Sequence, residues 1–144
     1  MAGLYDVFQT DENLEQAGVV VDYGDFRIRI AAASAANKRY SVYAEKKLKP
    51  VRRAMETGAL SNERGQAIMA DIYSKTIVLN WETMVDKEWK VGIEPKGGGD
   101  LLPFTPETVQ ETLTNLPRLL LDLQEQAQSL ANFRKAELEE EVKN

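Results

Sequence analysis

The chain has 144 residues, 43% of them hydrophobic and 28% charged, with a net charge of −5. That length builds one ordinary core rather than two, and the negative balance argues against broad, nonspecific attraction to nucleic acid. Cysteine and histidine are both absent, which removes disulfides, thiolate nucleophiles, ordinary zinc sites and histidine-based triads.

The opening "MAGLYDVFQTDENLEQAG" is acidic and not apolar enough for a signal peptide. No apolar run approaches the roughly 20 residues of a membrane span, so a soluble chain that stays where it is made is expected. Residues 1–16, with scattered Leu4, Tyr5, Val7, Phe8 and Leu14, read as a partly ordered arm. Beyond them, "VVVDYGDFRIRIA" alternates Phe26, Ile28 and Ile30 with Arg27 and Arg29, a strand period, and Gly24 marks a hairpin turn. Asp22 and Asp25 flank that turn. Asp is favoured there because its side chain bonds nearby backbone N–H groups, whereas a calcium site needs more ligands than these two. The turn reading is preferred.

From Ala31 to Lys49 the spacing becomes helical, with Ala36, Tyr40, Tyr43, Ala44 and Leu48 on one face, continued by Val51 and Met55. Pro50 predicts a break near Lys49, and Gly58 a helix end. "LSNERGQAIMADIYSKTIVLNWE" reads as a further helix capped by Ser61 or Asn62, with Ile68, Met69, Ile72, Tyr73, Thr76 and Leu79 buried and Trp81 near its end. Residues 84–103 are the least regular. Within them "EWKVGI" allows a short strand and "KGGGD" is a loop. Thr105 caps the next helix, with Pro106 at its first position and Val109, Leu113 and Leu116 on its apolar face.

The last helix is predicted over roughly residues 117–141. Leu116, Leu120, Leu123, Ala127 and Leu130 form a seam of about two heptads, with Phe133 on a shifted face. At that length its end is expected to project or to pack on another subunit, and residues 139–144 to fray as an acidic tail. The fold expected is a single domain over 1–144, mainly α with an α+β element: a helical domain with one small N-terminal hairpin and a long C-terminal helix.

No catalytic, cofactor-binding or metal-binding residues are expected. "KGGGD" lacks the order of a phosphate loop, since Lys96 precedes the glycines and no hydroxyl follows. The segment 38–53 holds seven basic residues, Lys38, Arg39, Lys46, Lys47, Lys49, Arg52 and Arg53, against one acid, Glu45. It reads as a solvated helix face, then as a contact for an acidic protein segment, and last as a nucleic-acid surface. Trp81 is assigned to the core. Trp89, in the charged "DKEWKV", is a candidate interface anchor. The run Glu137, Glu139, Glu140 and Glu141 near the terminus reads as a solvated end or a contact segment.

"DYGDFRIRIA", "GALSNERGQAIMADIYSKTIVLNWE", "LPFTPE" and "LPRLLLDL" running into "LANFRKAELEEEVKN" together resemble the tail assembly chaperones of long-tailed bacteriophages. The stretch "MVDKEWKVGIEPKGGGD" is longer and richer in glycine than that family's acidic turn, so the resemblance implies nothing for this loop. It does imply a non-enzymatic protein without cofactors, which binds the tape measure protein and helps recruit tail tube protein in the host cytoplasm. Absence from the mature virion and a longer frameshifted form are further implications. Self-association, contacts through Leu120, Leu123, Leu130 and Phe133, and a second surface on Lys46, Lys47, Lys49, Arg52 and Arg53 are the matching expectations. Two other readings stand beside it: a structural tail or head–tail completion protein retained in the particle, and a nucleic-acid-associated regulator using residues 38–53.

Overall fold

A computed structural model describes residues 3–133. The alternating "FRIRI" forms strand β2 (Phe26–Ile30), which pairs antiparallel with β1 (Val19–Asp22). Gly24 closes this hairpin at φ +97°, and the Asp22 carboxylate accepts the Gly24 N–H at 2.8 Å. Asp22 therefore shapes the turn, as predicted, and Asp25 lies within it.

The hairpin does not stand alone. Strand β3 (Val78–Val85) pairs with the free side of β2, and β4 (Glu88–Val91) pairs with β3, giving a four-stranded antiparallel sheet in the order β1-β2-β3-β4. This overturns the expectation of a mainly α domain with a single small hairpin. The physical reason lies in one extra residue. Arg29 pairs with Asn80 but Ile30 pairs with Val78, so Leu79 is bulged out of the ladder. The bulge puts Val78 and Trp81 on the same buried face. Their three-residue spacing, with Ile77 four before Trp81, imitates a helical stripe.

The helix expected to run through "TIVLNWE" stops at its first residue, Thr76. Helix α5 spans Asn62–Thr76, with the Ser61 side chain accepting from the Arg64 N–H. Before it, α3 (Lys38–Leu48) gives way to a 3₁₀ turn over Lys49–Val51 and then α4 (Arg52–Glu56), the break that Pro50 predicts. Helix α3 begins later than Ala31 because Asn37 caps it, accepting from the Tyr40 N–H and donating to the Ala32 carbonyl at 2.9 Å. Residues 3–16 carry two short helical elements, α1 (Leu4–Phe8) and the start of α2 (Glu12–Ala17), which Asp11 caps.

After the Gly-rich loop, Ile93 and Leu102 exchange backbone hydrogen bonds, and α6 (Pro106–Asn115) begins at Thr105 with its expected cap and proline. The last helix, α7 (Pro117–Gln128), is 12 residues long and not about 25. Ser129 is extended, and its N–H, at 3.2 Å, and the Asn132 side chain, at 2.9 Å, both donate to the Gln126 carbonyl. A 3₁₀ turn over Leu130–Phe133 folds the chain back, and the Asp11 N–H donates to the Phe133 carbonyl at 2.8 Å. The helix therefore does not project from the body. The acidic tail at 139–144 lies outside the described residues.

Helices α3, α5, α6 and α7 cover one face of the sheet. Ile28, Ile30, Trp81, Ile72, Tyr73, Val109, Leu113 and Leu123 meet in a single cluster. The Tyr23 hydroxyl donates to Asp122, which ties the hairpin to α7. No helix among the described residues is long and apolar enough to cross a membrane.

Candidate interaction surfaces

The middle of the leucine seam, Leu120, Leu123 and Ala127, is buried. Leu123 is fully buried and Phe133 2% exposed, so both belong to the chain's own core, while Leu120, 2% exposed, lies in the core and reaches the floor of the groove that Leu121 faces. Leu130 lies in the turn after α7, its side chain outside what the structure describes. The exposed leucines of this region are Leu116 and Leu121, both off the buried stripe of α7.

Leu121 faces an apolar groove of about 310 Å³ between α4, α5 and α7. Met55, Leu60, Ile68, Met69 and Pro117 share its lining with Leu121, and Gln66 and Gln124 supply polar groups. Met55 and Leu121 are about half exposed. Methionine side chains are unbranched and polarizable, so such a lining adapts to varied apolar partners. Sequence reading assigns Ile68 and Met69 to the core but not to a groove. The available signal is the triple leucine of "LPRLLLDL", which is too long for one helical stripe and forces one leucine outward.

The basic segment divides into paired and unpaired charges. Asp71 on α5 is the hub: Lys75 donates to it at 2.6 Å, the Tyr43 hydroxyl at 2.8 Å, and Lys47 lies at 3.5 Å. Burial alone would raise the Asp71 carboxyl. The bonds from Lys75 and Tyr43 and the charges of Lys75 and Lys47 outweigh it and hold the group below its ordinary value. Arg52 pairs with Glu45 at 2.8 Å on the exposed surface. Lys46, Lys49 and Arg53 form no ion pair among the described residues. Tyr43 is bonded to Asp71, and Tyr40 packs edge-on against the buried Tyr73.

Trp89 is half-buried on the outer face of the sheet, opposite Met84. The Arg27 guanidinium sits 4.1 Å from the centre of its ring and also bonds Glu82 at 2.9 Å. An arginine over an indole is a favourable cation–π pair, so the ring is already engaged within the chain. Val20, Met84 and Val91 are the exposed apolar side chains nearby on β1, β3 and β4.

Among the described residues, no group of three or more acidic side chains is placed to hold a metal ion. What the surfaces offer is contact: an adaptable apolar groove, a cationic face beside it, and two sheet edges at β1 and β4. No curated protein and no solved structure matches the chain. Residues 35–144, which include α3 to α7, β3 and β4, match the family of the YdaY prophage protein. That match covers well over half of the chain, and the protein is therefore phage-derived and belongs to the YdaY prophage protein family.

Proposed function

We propose that this phage-derived chain is a non-enzymatic tail assembly chaperone, which holds apolar helical segments of the tape measure protein and helps bring in tail tube subunits in the host cytoplasm. The observation that carries this reading is the open apolar groove lined by Met55, Leu60, Met69 and Leu121. A groove of this kind takes the apolar face of an amphipathic helix, and its two methionines suit many related segments better than one fixed ligand. The family match gives the phage origin that this reading needs, and the resemblance of the motifs suggests the tail role. Leu123 and Phe133 act in this reading as the packing that holds α7 in place, and Leu121, with Leu120 beneath it, makes the contact. Arg52 and Arg53 lie just before Met55 and offer cationic flanks for acidic residues of the partner.

The test is co-expression with the tape measure protein of the same genome, followed by mass spectrometry of purified virions. A chaperone keeps the tape measure protein soluble, co-purifies with it and is missing from the finished particle. Stoichiometric presence in the virion would instead identify a structural completion protein.

A further inference from the structure

Outside that groove, two charged features of opposite sign have no role yet. On α3, Lys38, Val42 and Lys46 stand four residues apart and share one outward face. With Arg39, Tyr43 and Lys75 they line a second, open groove of about 640 Å³. Its middle is apolar, since Val42 is 69% exposed. Arg39 and Lys75 are positioned by the chain itself: Arg39 donates to the Lys75 carbonyl at 3.0 Å, and the Lys75 ammonium is held by Asp71 and Gln110. Lys38 and Lys46 form no ion pair among the described residues. Cations around an exposed valine suit a segment that carries both carboxylates and branched apolar side chains.

The sequence contains such a segment. Residues 137–142 read Glu-Leu-Glu-Glu-Glu-Val. Four carboxylates accompany Leu138 and Val142 in this stretch. The described chain also ends on the side of the molecule where α3 begins. The Phe133 carbonyl accepts from the Asp11 N–H, and α2 leads from Asp11 to Glu15. The Glu15 carbonyl accepts from Ala32, whose own carbonyl accepts from Asn37, the cap just before Lys38. Asp11 to Glu15 rises about 6 Å along the helix, while residues 134–142 reach up to about 30 Å when extended. Reach within one chain is not limiting.

We infer that residues 137–142 dock in the α3 groove of their own chain, with glutamates on Lys38 and Lys46 and Leu138 or Val142 over Val42. Each pair is a weak, salt-screened surface interaction. The tether makes the encounter intramolecular and raises the effective concentration enough for weak pairs to hold. The inference stands independently of the tail-chaperone reading, because it concerns a different surface.

The test is zero-length carbodiimide cross-linking of the full chain, as an equal mixture of isotopically light and heavy protein, with the linked peptides mapped by mass spectrometry. Links from Glu137–Glu141 should concentrate on Lys38 and Lys46, within one isotope label, and fall about fivefold in 0.5 M salt, where screening shortens the reach of charge. Lys38→Glu with Lys46→Glu should abolish them, and adding Glu139→Lys with Glu140→Lys should restore them in reversed polarity. Links spread evenly over the other lysines, or links mainly between labels, would overturn the inference. If the lysine variants fail to fold, the wild-type link map and its salt dependence decide the matter.

Discussion

Gly18 shows how much one residue carries. Its φ is +89°, and a Cβ there would lie 2.7 Å from the Ile30 carbonyl oxygen and 2.7 Å from the Leu79 side chain. The bulged leucine of β3 thus packs directly over the glycine that leads into β1. Gly18→Ala is expected to cost about 1–3 kcal/mol, read as a lowered denaturation midpoint with the slope unchanged. Asp71 is the second such residue, and its sign is set by its partners. A carboxyl held below its ordinary value of 3.8 stabilises the fold above that pH, and the contribution is lost as pH falls through the lower folded value. Asp71→Asn should therefore destabilise by about 1–3 kcal/mol at neutral pH. The gap from wild type should close below pH 3.8 in acid-denaturation curves.

Among the elements, those with strong local chemistry are legible in the sequence. The alternation of β2, the Ser61 cap of α5, the Thr105–Pro106 start of α6 and the Pro50 break all rest on neighbours in the chain. Strand β3 is not legible, because its bulge at Leu79 turns a strand period into a helical spacing. The β3–β4 turn hides for another reason. Asp86 and Lys87 both have positive φ, at 51° and 66°, as a two-residue hairpin turn requires, yet neither is the glycine or asparagine that would signal it. Lys87→Gly is expected to stabilise the protein by up to about 1 kcal/mol, since a left-handed lysine carries a steric cost that glycine does not. A thermal melt measures it, and an unchanged or lower midpoint would mean that the turn is not strained. The end of α7 is missed because a leucine seam continues past Gln128 in the sequence. What stops the helix is the Asn132 bond back to Gln126 and the burial of Phe133.

At the scale of the whole molecule, the candidate surfaces divide along the same line. The basic face is visible as seven charges in one stretch, whereas the apolar groove brings together Met55, Met69 and Leu121 from three separate helices. No local pattern announces such a site, because its lining is set by how α4, α5 and α7 pack. Leu123 of the predicted seam is core, and Leu121 two residues before it is surface. This gives two neighbouring positions on one helix with opposite expected behaviour. Leu123→Asp places a charge in a fully buried site and should unfold the protein. Leu121→Asp should leave the melting temperature within a few degrees of wild type. The most direct measurement is a calorimetric titration of a helical tape measure segment from the same genome into wild type and Leu121→Asp. The predicted result is saturable binding by wild type and about tenfold or greater weakening in the folded Leu121→Asp variant, the loss of one buried leucine contact. Equal affinity for the two proteins, or no binding by wild type, would contradict the assignment of the groove.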